Sequence, residues 1–172
     1  NGDSEFIDSE FYDWVIENSA ELDKMVVHGR DYNFDYFGFK TLERAYLIKN
    51  QKTNYIYERP QHMYLRVAAF LNKGNLSEIK KTYDLLSTGK YIHASPTLFN
   101  AGSTRSQLSS CFLIGTDDSI DDITNTWKSV SAISKWGGGI GLHVSNVRSK
   151  GSLIRGTNGP SSGIIPMLQV YN

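Results

Sequence analysis

The sequence predicts an α/β chain: a helical N-terminal region, residues 1–90, followed over residues 91–172 by short strand-like runs alternating with helix. Three observations predict it. Apolar residues recur at helical spacing through the first region. After Tyr91 the pattern changes to short apolar runs separated by small residues. Ser119 then opens a further helix, with Asp122 at the reciprocal capping position.

Element by element, Phe11, Trp14, Val15, Asn18, Leu22, Met25 and Val26 trace a helical stripe that Gly29 stops. Residues 30–40 mix large rings with Asn, Asp and Gly, which suits a packed loop. A short helix is expected over 41–49, and residues 51–58, polar with interspersed Tyr and Ile, suit a strand or hairpin. Pro60 fits a helix start, where a missing amide donor costs little, and Met63, Val67, Phe70 and Leu71 fall on one side. After Lys73-Gly74, Asn75 can cap a second helix with Glu78 three residues on and Leu76, Ile79, Tyr83 and Leu86 as its apolar face. These two should form a helical hairpin. Leu108–Ile114 reads as a strand with Ser109, Cys111 and Leu113 on one face and Ser110, Phe112 and Ile114 on the other. The helix from Ser119 carries Ile120, Ile123, Trp127 and Val130, and Lys135-Trp-Gly-Gly-Gly-Ile-Gly141 marks its end. Leu142–Val147 is the second strand expected, and residues 151–163 read as a flexible loop. No Ser/Gly linker, internal repeat or low-complexity segment divides the chain.

A chain of 172 residues with 40% hydrophobic content, ten Tyr, eight Phe and three Trp can build a core. Eighteen basic residues balance eighteen acidic ones, so no broad field attracts DNA, RNA or acidic lipid, and any nucleotide must be held by a local site. No apolar run is long enough to cross a bilayer, and the start, Asn1-Gly-Asp-Ser-Glu-Phe6, lacks the features of a signal peptide. The expected compartment is the cytoplasm, which the single cysteine also suits, since it has no disulfide partner in the chain. The first residue is not Met and the last residues carry no cap or turn signal, so both ends read as cut from a longer polypeptide.

Several side chains can do chemistry, each beside a plainer role. Ser95 and Ser110 can bond a polar ligand or a local turn. The glycine run 137–139 lets a ligand approach backbone amides or merely turns the chain; it lacks the strand-to-helix setting of a dinucleotide loop and the Gly-Lys-Ser/Thr ending of a P-loop. Asp117, Asp118, Asp121 and Asp122 suit the free amides of a helix start, and Asp118 can alternatively accept from a sugar hydroxyl. Lys135, Arg148 and Arg155 are solvated charges or phosphate ligands. Lys135 stands 135 − 118 = 17 residues beyond Asp118, roughly 25 Å at helical rise. One small ligand gripped by both therefore needs a second chain, and a two-fold axis pairing this helix antiparallel would bring its opposite ends together. His28, His62, His93 and His143 show no metal-ligand spacing. Cys111, next to an apolar stretch, is by residue chemistry alone an ordinary buried thiol.

Taken together, six stretches occur in a recognisable order: Arg30-Asp-Tyr-Asn-Phe-Asp-Tyr-Phe-Gly-Phe-Lys-Thr-Leu-Glu-Arg44, Glu58-Arg-Pro-Gln-His-Met63, His93-Ala-Ser-Pro-Thr-Leu-Phe-Asn-Ala-Gly102, Gln107-Leu-Ser-Ser-Cys-Phe-Leu113, Asp117-Asp-Ser-Ile120 and Gly156-Thr-Asn-Gly159. From about residue 12 to its end the chain resembles the large subunit of eukaryotic-type class I ribonucleotide reductase. The resemblance implies the start of a ten-stranded α/β barrel behind the helical region, too little to close the barrel. It also implies reduction of ribonucleoside diphosphates to deoxyribonucleoside diphosphates by radical and thiol chemistry.

By the resemblance Cys111 is a reducing cysteine, not the thiyl-forming one, and Ser95, Ser110 and Gly138 are substrate contacts. Asp118, Ser119, Ile120, Lys135, Arg148, Arg155 and Gly156 surround a dNTP or ATP effector, accompanied by Mg2+, at an interface with a second large subunit. A metal-containing small subunit supplies the radical, thioredoxin or glutaredoxin restores the thiols, and this chain holds no tightly bound metal. The radical cysteine, the partner of Cys111 and the active-site acid would follow Asn172, and the ATP-binding cone would mostly precede Asn1, so the piece alone is expected to be inactive. Trp136-Gly-Gly-Gly139 departs from the family's Ser-Ala-Gly-Gly form, placing a large ring near Gly138. Two other readings use fewer of these residues: a noncatalytic nucleotide-binding or dimerisation module built on Asp118, Lys135 and Arg148, and a helical interaction protein whose glycines only shape loops.

Overall fold

The computed structural model describes residues 6–50 and 52–171; expectations about residues 1–5, Gln51 and Asn172 lie outside it. The described residues form two compact units that divide at Leu108/Ser109.

The first unit is helical. Asp8 caps α1 (Ser9–Glu17) by accepting from the Phe11 N–H at 2.9 Å. The expected single stripe is broken at Asn18, whose side-chain amide donates to the Trp14 carbonyl at 2.8 Å, and α2 (Ser19–Met25) restarts beyond it. A 3-10 turn, His28–Asn33, and α3 (Tyr36–Ala45) occupy the stretch expected to be a loop. The helix starts five residues before Thr41, where it was expected, because Asp35 caps it through the Gly38 N–H at 2.6 Å. An antiparallel bridge between Lys49 and Ile56 closes the turn near residue 52, the hairpin alternative for that stretch.

The helical hairpin is present as α4 (Pro60–Leu71), with Pro60 in its first turn, and α5 (Leu76–Ser87), whose Asn75 cap accepts from the Glu78 N–H. Met63, Val67 and Ala68 of α4 and Ile79, Tyr83 and Leu86 of α5 form the centre of the core. Leu71 departs from the expected stripe and is 39% exposed. Tyr83 is fully buried, and its hydroxyl is matched on both sides: it donates to Gln61 Oε1 at 2.7 Å and accepts from the Val27 N–H at 2.9 Å.

Residues 91–108 cluster with this helical unit, so the compact boundary lies eighteen residues beyond the change of sequence pattern at 90/91. The sequence there folds into a short helix, α6 (Ser95–Asn100), with Leu98 and Ala101 buried. Arg66 of α4 holds its end: the guanidinium donates to the carbonyls of Ala101 at 2.6 Å and Leu98 at 3.0 Å while pairing with Glu58 at 2.5 Å. Gly102 sits at φ +82°, and a methyl group there would lie 2.6 Å from the Phe11 ring. Gly102→Ala is expected to destabilise the unit by about 2–4 kcal/mol, combining a left-handed backbone with overpacking; a denaturation midpoint unchanged from the parent would refute it.

The second unit is built on one β-α-β element. Strand β1 (Cys111–Gly115) pairs in parallel with β2 (Gly139–His143), Cys111 opposite Gly139 and Gly115 opposite His143, and α7 (Ile120–Lys135) connects them. The second strand begins three residues before the expected Leu142, since the Gly139 N–H donates to the Ser110 carbonyl at 2.9 Å and starts the ladder. Phe112, Ile114, Ile140 and Leu142 are half-buried, whereas Cys111, Leu113, Gly139, Gly141 and His143 on the other face of the pleat are exposed. The stretch read as a flexible loop is instead tied across itself, from Gly151 N to Ser161 O, Ser161 N to Ser152 O and Ile154 N to Gly159 O, with Leu153 bridging Pro160. Helix α8 (Ile164–Leu168) and a 3-10 turn, Gln169–Tyr171, complete the unit. Among the described residues no helix is long and apolar enough to cross a membrane.

Candidate functional site

Two groups of the expected residues are brought together in the second unit. The first surrounds the start of β1. Cys111 is exposed, contrary to the ordinary buried thiol, because strand alternation puts its side chain on the open face of the two-stranded sheet. The Ser110 hydroxyl lies 3.6 Å from its sulfur. Gly139 stands opposite, and a Cβ there would lie 4.0 Å from the Cys111 Sγ, an ordinary contact. Gly138 has a packing role beyond any ligand contact: a Cβ at this position would lie 2.6 Å from Ile133 and 2.7 Å from the Phe112 ring. Only glycine lets the chain leave α7 and re-enter the sheet this closely. Trp136, the departure noted above, is 48% exposed, with the Lys135 ammonium 5.5 Å from its ring centroid. Ile133 and Phe112, rather than that ring, confine Gly138. Ser95 belongs to the helical unit, where its hydroxyl and that of Tyr46 share a hydrogen bond of 2.9 Å.

The second group surrounds an open cavity of ≈ 330 Å³ lined by Asp118, Arg148, Ser152, Leu153 and Arg155. Arg148 ties its walls together. The backbone N–H donates to Asp118 Oδ1 at 3.1 Å, Nε donates to Oδ2 at 2.7 Å, and Nη1 donates to the Leu153 carbonyl at 3.1 Å. The Arg148 backbone amide foremost, then its guanidinium, hold the Asp118 carboxyl below the ordinary carboxylate range, against the opposing effect of desolvation. That carboxylate is an acceptor for hydroxyl donors beside two guanidinium groups suited to phosphate oxygens.

Ser119 is the N-cap of α7, accepting from the Asp122 N–H at 3.1 Å, and Ile120 next to it is 73% exposed. Lys135 is the last residue of the sixteen-residue α7, at the far end from Asp118, as the length argument requires. Gly156 occupies the tied turn at φ +96°. Ser152 and Leu153 also line this cavity, beyond the residues expected from the sequence. Their signal was faint: the turn-forming Ser149-Lys-Gly-Ser152 just after Arg148. A second open depression of ≈ 430 Å³ runs along Leu113–Gly115 and Gly141–His143 and is lined by no Asp, Glu, Lys or Arg. Among the described residues, no three His, Cys, Asp or Glu side chains converge to hold a metal ion.

Comparison with known proteins places these features in context. Residues 32–106 match the family model "Ribonucleotide reductase, all-alpha domain", and residues 109–172 match "Ribonucleotide reductase, barrel domain". The chain is 52% identical to a ribonucleoside-diphosphate reductase large subunit of Arabidopsis thaliana over 98% of its own length and 21% of that protein's. It is 50% identical to ribonucleoside-diphosphate reductase large chain 2 of Saccharomyces cerevisiae over 96% of its length and 19% of that relative's. With the large subunit of Monkeypox virus the figures are 52%, 98% and 22%. The chain thus spans about a fifth of the length of the curated relatives it matches.

Proposed function

Because the chain belongs to the ribonucleotide reductase large-subunit family, we propose that it is a portion of a cytoplasmic subunit reducing ribonucleoside diphosphates to their 2′-deoxy forms. In this reading a thiyl radical, generated with the help of a metal-containing small subunit, removes the 3′ hydrogen of the substrate and later returns it. The 2′ hydroxyl leaves as water. Two thiols, Cys111 and a cysteine from the polypeptide beyond this piece, give up two electrons and two protons and become a disulfide, which thioredoxin or glutaredoxin reduces. Ser95, Ser110 and Gly138 contact substrate. The chain alone does not turn over, because Cys111 is its only thiol and a disulfide needs a second one with its Cα within about 7 Å.

The observation that carries the regulatory half of the reading is the cavity between Asp118 and the two arginines. Its carboxylate suits ribose hydroxyls and its guanidinium groups suit the phosphates of a dNTP or ATP, with Mg2+ carried on the phosphate oxygens. Ser119, Ile120 and Gly156 border it. Lys135 reaches the same nucleotide from a second large subunit, since α7 separates it from Asp118 of its own chain. Titrating the chain with dATP, dGTP and dTTP is expected to give saturable binding and concentration-dependent dimerisation in sedimentation. Arg148→Ala should weaken that binding by about 10–150-fold, the worth of a charged hydrogen bond. Full affinity in a strictly monomeric chain would overturn the shared site, and no binding at all would favour the interaction-protein reading.

A further inference from the structure

His28 and His62, 62 − 28 = 34 residues apart in the helical unit, meet in space. His28 opens the 3-10 turn and His62 lies in the first turn of α4. Their ring centroids are 5.5 Å apart with planes at 89°. Both residues are exposed. Among the described residues neither imidazole has a hydrogen-bond partner, whereas His93 has the Tyr91 hydroxyl at 3.3 Å. Two unsatisfied imidazoles in contact leave ring nitrogens open to a shared electrophile.

The spacing fits one. With metal–nitrogen bonds of about 2.0–2.1 Å and a ring nitrogen about 1.1 Å from its centroid, each centroid stands about 3.2 Å from a bound ion, so a tetrahedral angle puts the two centroids about 5.2 Å apart. The observed separation matches within a few tenths of an ångström. Rotation about χ2, which is soft in histidine, lets each ring re-aim its nitrogens at little cost. We propose that His28 and His62 bind a divalent transition-metal ion of the zinc, nickel or copper class, which fastens the 3-10 turn to α4.

The surroundings favour this ion class. Although each residue is exposed as a whole, partial desolvation of the His62 ring foremost, then His28 and Arg59, lower its pKa, against Asp31 and Glu58. Asp31 is committed elsewhere: its carboxylate accepts from Arg59 Nε at 2.9 Å and from the Gln61 N–H at 3.3 Å. The protein therefore offers two nitrogens, water completes the coordination, and oxygen-seeking Mg2+ and Ca2+ are not held.

The test uses the full 172-residue chain with Cu2+, Zn2+ or Ni2+ as the sole added ion. Copper electron paramagnetic resonance is expected to show two equatorial nitrogens, falling to one in His28→Gln and in His62→Gln, with affinity lowered at least about ten-fold in each. Zinc should shift the His28 and His62 imidazole resonances together at one equivalent and leave His93 and His143 unmoved, a reading that needs no variant. Binding that survives in the double variant, a single nitrogen in the parent chain, or zinc shifts centred on other histidines would overturn the proposal.

Discussion

Replacing Arg66 with alanine is expected to cost the helical unit about 3–5 kcal/mol, the penalty of leaving one partner of a buried ion pair uncompensated. Arg66 and Glu58 have side chains only 8% and 10% exposed, and the pair is bidentate, Nε to Oε1 at 2.5 Å and Nη2 to Oε2 at 3.1 Å. The loss extends further than the pair. Arg66 also serves the carbonyls of Leu98 and Ala101, and Glu58 Oε2 accepts from the Ile48 N–H at 3.0 Å. Removing both charges together, as in Glu58→Leu/Arg66→Met, should therefore stay destabilising, because three backbone groups would lose their partners at once. Urea titration followed by helical ellipticity measures both. A loss below about 1 kcal/mol in Arg66→Ala, within the range of an exposed pair, would show that these bonds are dispensable.

Under the proposed function, Cys111→Ser in the intact subunit should abolish sustained turnover with the physiological dithiol reductant. Serine fits the exposed strand position, so the fold and effector binding should be unchanged. What disappears is a sulfur that gives up an electron and joins a disulfide; a hydroxyl does neither. The measurement is deoxynucleotide formed per subunit over time. Many turnovers by the serine variant would remove Cys111 from the redox chemistry, and a parallel loss of effector affinity would point to a folding defect instead.

The helix starts were legible where chemistry is local. Pro60, Asn75 and Ser119 each announce a helix through a cap or a missing donor, and all three helices begin there. Where a start depends on a competition, the sequence misled: Asp35 capping Gly38 wins residues 36–40 for α3, and Asn18 breaks a stripe whose apolar spacing looks continuous. The early start of β2 was hidden by glycine, which has low strand propensity alone but pairs readily once Ser110 presents a carbonyl. Cys111, Asp118 and Arg148 could each be nominated from their motifs. No local pattern joined Asp118 to Arg148, thirty positions apart, or revealed that His28 faces His62; such pairings exist only after the chain has folded.

The division at Leu108/Ser109 bears on synthesis. The buried apolar cluster centred on α4 and α5 draws on no residue beyond Leu108, so this part can acquire its native packing while later residues are still inside the ribosome tunnel. The parallel pair β1–β2 is in the opposite position. Leu113 on its open face is 91% exposed, and two strands make a marginal sheet. Such a pair needs further strands or cover on its open face to hold its register firmly.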